Sequence, residues 1–266
     1  MRDRRTALVT GASAGIGAEF ARIFAERGFN LVLTARRRDR LDELAAELER
    51  SHGADSLVLP EDLADPDAPG RLRDHIRDAG LQIDALVNNA GYGVQGTYRS
   101  RPWHEHADFV RVLMTSVLEL THIFEAGMVE RGYGRIINVA SLAGLVPPSA
   151  RHTLYSPAKA FVIRFSEALA QEHVGDGVYV TALCPGFTYT EFHDVLGNRA
   201  QVSRLPRFLW SDAREVAVQG YDAVMSGKTV HVVGAANRVV AGLVSMLPAS
   251  VARSIMMHQW RRVRSG

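Results

Sequence analysis

The sequence predicts an α/β fold: a single doubly wound domain whose seven-stranded, mostly parallel sheet carries helices on both faces. Three observations predict it. Short runs rich in Val, Ile and Leu alternate with helical stretches along the chain, which implies right-handed βαβ crossovers. The apolar runs are continuous rather than alternating, so each strand is covered on both sides. The 266 residues are 47% hydrophobic and contain neither a linker nor an internal repeat, which suits one large domain.

The elements follow in order. TALVT (6–10) reads as a buried strand and is followed by a helix from about Gly15 to Arg27. NLVLTA (30–35) is the second strand and leads into a charged helix, Asp39 to Arg50. SLVLP (56–60) is the third strand, after which Pro66 is expected to open a helix. DALVNNA (84–90) is the fourth, and a long helical region follows Pro102. GRIINVAS (134–141) is the fifth, with a helix from Tyr155 to Val174 behind it. GVYVTALCPG (177–186) is the sixth, Asp212 to Met225 is helical, and TVHVVG (229–234) is the seventh. Residues 1–234 form the predicted domain, and 235–266 form a helical extension.

Composition narrows the function. A net charge of +2 gives no strong field for nucleic acid. Cys184 is the only cysteine, so neither an internal disulfide nor a cysteine metal cage is expected, and a reducing, cytoplasmic setting fits. The N-terminus shows no apolar core of a secretory signal. No uninterrupted apolar run approaches the roughly 20 residues of a membrane span. His104 and His106 stand at i, i+2, which puts their rings on different helix faces; they read as solvated surface residues, and no metal is expected.

The stretch GASAGIG (11–17) matches two patterns. G-x-S-x-G, with Ser13 as nucleophile, is a hydrolase elbow; G-x-x-x-G-x-G is a dinucleotide turn. A hydrolase would need later Asp and His partners, and His173 and His193 have no evident Asp. The phosphate reading uses all three glycines. Gly11 permits the tight turn, Gly15 lets backbone N–H groups approach a pyrophosphate, and Gly17 allows close packing of a helix whose N-terminus attracts the anion. An acid at the end of the second strand would favour NAD(H). Arg36 stands there instead, followed by Arg37 and Arg38, and an Arg pairs with a 2′-phosphate. NADP(H) is therefore expected in preference to NAD(H). Asp62 has two readings, an acceptor for the adenine amino group or a simple turn cap.

YSPAK places Tyr155 and Lys159 four residues apart on one helix face. A phenol works as an acid or base near neutrality if a nearby ammonium lowers its pKa, and Lys159 is one of only two lysines in the chain. Ser141, at the end of the fifth strand, is placed to hydrogen-bond a carbonyl and its developing oxyanion.

With TGASAGIG (10–17), NNAG (88–91), INVAS (137–141), YSPAK (155–159) and CPGFTYTEF (184–192) in this order, the chain resembles the short-chain dehydrogenase/reductase family from about Thr6 to Gly234. The resemblance implies a Rossmann-type fold, a nicotinamide cofactor and hydride transfer to or from a carbonyl carbon. Tyr155 is then the acid/base, Ser141 orients the carbonyl, and Lys159 tunes Tyr155 and binds ribose. Ser13 and Ile16 join the three glycines in the cofactor turn. Asn88 lies along the adenine side, Ala90, Pro185 and Gly186 join the cofactor contacts, and Thr188 or Thr190 contacts the carboxamide. One departure stands out: where many relatives carry an Asn that holds a water on the proton relay, this chain has Leu113, with Ser116 one turn onward as a substitute hydroxyl. That departure leaves two functions open, an NADP(H)-linked carbonyl reductase and a nucleotide-binding sensor with little or no turnover.

The segment from Phe187 to Trp210 holds Phe187, Phe192, Val195, Leu196, Phe208, Leu209 and Trp210. These residues either line a pocket for an apolar substrate or pack a lid onto the domain; the YSxxKAFV pattern and the long C-terminal extension resemble long-chain 3-oxoacyl and steroid-type reductases, which implies an apolar ketone or 3-oxoacyl-type substrate. In the extension, Val239, Val240, Leu243, Val244 and Leu247 form an apolar stripe, Pro248 breaks it, and Arg253, Arg261, Arg262 and Arg264 follow. Packing on the chain's own core, a homo-oligomer interface and an anionic membrane surface are the three readings.

Overall fold

The computed structural model describes residues 4–94, 96–148, 153–191 and 210–248, together with 251 and 254. Phe192, His193, Val195, Leu196, Phe208, Leu209, Arg253, Arg261, Arg262 and Arg264 lie outside the described residues.

Seven strands form one parallel sheet: β1 (Thr6–Thr10), β2 (Asn30–Thr34), β3 (Ser56–Val58), β4 (Ala85–Asn88), β5 (Gly134–Val139), β6 (Val178–Cys184) and β9 (Val230–Val232). Their order is β3-β2-β1-β4-β5-β6-β9. The chain runs outward from β1 through β2 to β3, then crosses back to β4 on the other side of β1. That reversal makes a crevice at the carboxyl ends of β1 and β4, the place where such sheets bind ligands. The helices are α1 (Gly15–Glu26), α2 (Arg38–His52), α3 (Ala68–Asp78), α4 (Trp103–Val110), α5 (Ser116–Glu130), α6 (Tyr155–Glu172), α7 (Ala213–Met225) and α8 (Ala235–Met246).

Residues alternate between the two sheet faces and feed two cores. Leu8, Leu86, Ile136 and Val180 meet α3 to α6 on one face. Val9, Val87, Ile137 and Leu183 meet α1 and α7 on the other, where the Phe24 ring sits edge-on to Phe29 and Tyr221. Gly220 lets α7 close on this core, because a Cβ there would lie 2.7 Å from the Phe20 ring.

Three details differ from expectation. The third helix opens at Ala68 rather than Pro66, because Asp62 and Asp65 each accept a backbone N–H in turns that use up the preceding residues. Pro69 then takes a first-turn position, where no N–H is needed. The long helical region is broken by a π-turn at Arg111–Thr115. Trp103–Glu130 is long and apolar enough to cross a membrane by composition, but Phe109, Leu113, Leu120 and Met128 are buried against the sheet, so it is a core helix. Beyond the main sheet, β7 (Phe187–Tyr189) pairs in parallel with β8 (Trp210–Asp212), with Tyr189 stacked on Trp210 at 4.6 Å.

Candidate active site

The glycine turn follows β1. Gly11 and Gly15 have positive φ, +66° and +56°. A Cβ on Gly17 would collide with the Gly11 carbonyl oxygen, so only glycine lets α1 begin this close to the turn. No side chain caps α1 and its first turn holds no acid, which leaves its N–H groups for an anionic ligand. Ser13 and Ile16 are half-buried in the same turn. The backbone and its open donors fit a dinucleotide pyrophosphate.

The Asn that serves this turn is Asn89. Its Nδ2 donates to the carbonyls of Thr10 (2.9 Å) and Gly11 (3.3 Å). Thr10 Oγ1 in turn accepts from the N–H groups of Asn89 and Ala90, tying the end of β4 to the cradle. Asn88, expected on the adenine side, is corrected to a core residue. It is buried, and its amide donates to Thr121 Oγ1 and Asn138 Oδ1. Strand alternation decides between the neighbours: position 88 faces the α5 side.

Beyond β2, Arg36 is 74% exposed and its guanidinium lies 4.0 Å from Asp62. Asp62 Oδ1 caps the turn by accepting from Ala64 N. Arg37, not singled out from sequence, reaches the glycine turn: Nε and Nη2 donate to Ser13 Oγ at 3.3 and 3.1 Å.

At the end of β5, Ser141 has its Oγ accepting from Ala143 N at 3.1 Å and starts a short 3₁₀ turn, Leu142–Gly144. Gly144 packs on α6, where a Cβ would come 2.7 Å from the Lys159 carbonyl carbon. That contact fixes Ser141 beside the start of α6, which presents Tyr155 and Lys159 one turn apart. Ser141 lies beside Tyr155, where its hydroxyl favours the ionised phenol. Lys159 is buried, its Nζ donating to the Val139 carbonyl at 2.7 Å and lying 5.9 Å from the Tyr155 ring centre.

The electrostatics correct one expectation. Burial raises the Tyr155 phenol above its ordinary range, opposed by the Ser141 hydroxyl. The lysine bears the shift instead: burial brings Lys159 down to about 8. Burial thus favours the protonated phenol, and the Lys159 Nζ is anchored on the Val139 carbonyl.

On the nicotinamide side, Pro185 is buried and its carbonyl accepts from Leu142 N. Gly186 presses on Asn237, with a notional Cβ 2.9 Å from its Oδ1. Thr188 Oγ1 donates to the Gly186 carbonyl at 3.3 Å. Thr190 packs on Gly15 instead, 3.0 Å from where a Cβ would sit. Leu113 is buried in the π-turn, its side chain against Gly91. Ser116 does not replace the missing Asn, because its hydroxyl donates to the Val112 carbonyl at 2.8 Å and is buried there.

A cleft beside Tyr155 is lined by Val94, Tyr98, His106, Phe109 and Leu154. His106 corrects the surface reading: it is buried, its Nε2 lies 2.8 Å from the Tyr98 carbonyl, and its ring stacks on Tyr98 at 4.6 Å. His104 is exposed, as expected. Among the described residues no group of three or more His, Cys, Asp or Glu could hold a metal.

A glycine cradle at a topological switch point, beside a Ser-Tyr-Lys group at the end of β5, defines a Rossmann-type nucleotide-dependent oxidoreductase. Residues 5–200 match the short-chain dehydrogenase family model, and the chain belongs to that family. The human very-long-chain 3-oxoacyl-CoA reductase is 28% identical, over 97% of this chain and 80% of that protein. The 3-oxoacyl-[acyl-carrier-protein] reductase of Vibrio cholerae is 31% identical, over 87% and 97%. The ketoacyl reductase of Nostoc is 33% identical, over 69% of this chain and 63% of that protein. In structure, the short-chain dehydrogenase from Sphingobium yanoikuyae in complex with NADPH superposes with a TM-score of 0.79 at 30% identity, covering 92% of this chain and 96% of that one. The chain is a nicotinamide-dependent oxidoreductase of carbonyls and secondary alcohols.

Proposed function

We propose that this enzyme reduces an apolar ketone or 3-oxoacyl thioester and uses NADPH in preference to NADH. The observation that carries the reading is the meeting of Ser141, at the end of β5, with the start of α6, where Tyr155 stands one helical turn from a buried Lys159. Arg36 just past β2, and Arg37 on Ser13 of the glycine turn, support the phosphate preference, since guanidinium pairs with phosphate. The 3-oxoacyl reductases among the relatives support the substrate class.

Bound NADPH supplies the hydride. The N–H groups of the glycine turn and the α1 N-terminus would hold the pyrophosphate, and Lys159 would hold ribose. Ser141 positions the substrate carbonyl and stabilises negative charge as it grows on oxygen. Tyr155 gives its phenolic proton to that oxygen, so the alcohol forms as the carbonyl carbon is reduced. Lys159 steadies the resulting phenolate until it regains a proton. An assay of ketones, aldehydes and 3-oxoacyl thioesters by NADPH absorbance tests the substrate class: turnover confined to small polar carbonyls would overturn it.

The extension supports a second reading, peripheral attachment to an anionic membrane. On α8, Val239 and Leu243 of the apolar stripe are each 60% exposed, while Val240 and Val244 are half-buried, so one edge of the stripe is open to an outside surface. Residues 235–266 include Arg238, Arg253, Arg261, Arg262 and Arg264 and no Asp or Glu. Exposed apolar residues beside unopposed cations suit an anionic lipid surface. A homo-oligomer that covers the same stripe is the competing occupant, and the cytoplasm is the compartment proposed for either.

A further inference from the structure

We propose that Glu191 sets cofactor discrimination by occupying, with its carboxylate, the guanidinium site that the 2′-phosphate of NADP(H) needs. This rests on the phosphate preference proposed above.

Three separate parts of the chain meet at this point. Ser13 comes from the glycine turn, Arg37 and Arg40 from the start of α2, and Glu191 from the residues just after β7. Glu191 Oε2 accepts from Arg37 Nη1 at 3.0 Å, and Oε1 accepts from Arg40 Nη1 at 2.9 Å. The other edge of Arg37 is on Ser13 Oγ. One carboxylate thus bridges two arginines, one of which touches the phosphate-binding turn. The neighbouring Thr190 rests on Gly15. To a guanidinium, a carboxylate and a phosphate monoester are ligands of one kind: anionic oxygens that accept paired N–H bonds. A groove of about 520 Å³, lined by Ser13, Gly15, Arg40, Thr190 and Glu191, opens beside the pair and leaves room for the side chain to swing aside.

The consequence is an asymmetry between the two cofactors. The 2′-phosphate competes with Glu191 for Arg37, and its binding releases the residues after β7 from α2. NAD(H), which lacks that phosphate, leaves the Glu191 bridges intact. Glu191 thus holds the arginines in place while weakening the affinity they confer.

The test is titration of the full-length protein with NADPH and NADH, followed by nucleotide fluorescence. Preference of the wild-type protein for NADH would refute the phosphate reading itself. With that preference in place, Glu191→Gln is expected to lower the Kd for NADPH roughly threefold to tenfold, the range set by losing one or two exposed ion pairs. The Kd for NADH stays within about twofold. In an Arg37→Ala background the gain for NADPH shrinks or disappears. An unchanged or higher Kd for NADPH overturns the proposal, as does an equal gain for both nucleotides or a gain that persists undiminished without Arg37. Glu191→Ala repeats the measurement with no side-chain amide to form new bonds, and it must change the Kd in the same direction.

Discussion

At the residue scale, the active-site lysine carries the sharpest consequence. Burial lowers Lys159 from 10.5 to about 8, so its charged form prevails at pH 7 and is lost as pH rises through about 8. A solvated lysine would keep its charge to about 10.4. Because the charge steadies the phenolate left by proton donation, ketone reduction is expected to hold from pH 6 to 7.5 and to decline through pH 8. A kcat/KM profile that stays flat to pH 10 would contradict this. The two adjacent asparagines separate in the same way. Asn89→Ala removes the clamp on the Thr10 and Gly11 carbonyls and is expected to weaken NADPH binding roughly tenfold. Asn88→Ala strips partners from buried Asn138 and Thr121 and is expected to cost about 1–3 kcal/mol of stability with cofactor binding little changed. Thermal melts and NADPH titration of both variants check the pair. Tyr155, Lys159 and Ser141 were legible because a phenol, an ammonium and a hydroxyl at those spacings have few other uses together. The choice between Asn88 and Asn89 was not, since it depends on which face of β4 each residue takes.

At the element scale, the sequence outlined nearly every strand and helix of the main sheet, because continuous Val/Ile/Leu runs and glycine punctuation are local signals. Two features escaped it. The pairing of β7 with β8 joins residues more than twenty positions apart, and nothing local announces that. The π-turn at Arg111–Thr115 adds one residue to a helix whose apolar pattern continues on either side. Gly144 is the element-level contact most open to test. It brings the Ser141 turn against the α6 backbone, where a Cβ would lie 2.7 Å from the Lys159 carbonyl carbon and 2.8 Å from the Ala160 nitrogen. Gly144→Ala is expected to cost about 1–3 kcal/mol of stability and to reduce kcat more than it raises the Kd for NADPH, since it separates Ser141 from Tyr155 without touching the glycine turn. A melt and a single-turnover rate identical to wild type would show that the contact relaxes freely.

At the scale of the whole molecule, strand order does the positioning. Because β1 lies between β2 and β4, the glycine turn, the arginines after β2 and the Asn89 clamp reach one crevice from three separate chain segments. The Ser141–Tyr155–Lys159 group stands at its edge, on β5 and α6. The surface role of α8 belongs to this scale as well. Its apolar stripe was legible as a stripe, but whether it turns inward or outward depends on how the extension leaves β9, and Asn237 decides that by burying itself on the Val233 carbonyl. Replacing Val239 and Leu243 together with Glu removes no core contact. The double variant is expected to stay folded and to lose co-sedimentation with phosphatidylglycerol vesicles. Failure of the wild-type protein to sediment, with a concentration-dependent dimer lost in the variant, would assign the face to a second copy instead.

The most direct measurement of the chemistry is single-turnover hydride transfer from NADPH to a ketone that the wild-type enzyme reduces, compared with Tyr155→Phe. The expected result is a rate lower by roughly 10²–10⁴-fold with the Kd for NADPH within about twofold of wild type, because the phenylalanine ring keeps the packing and loses only the transferable proton. A variant that reduces the ketone at the wild-type rate, or a wild-type protein that binds NADPH and transfers no hydride to any carbonyl offered, would contradict the role given to Tyr155.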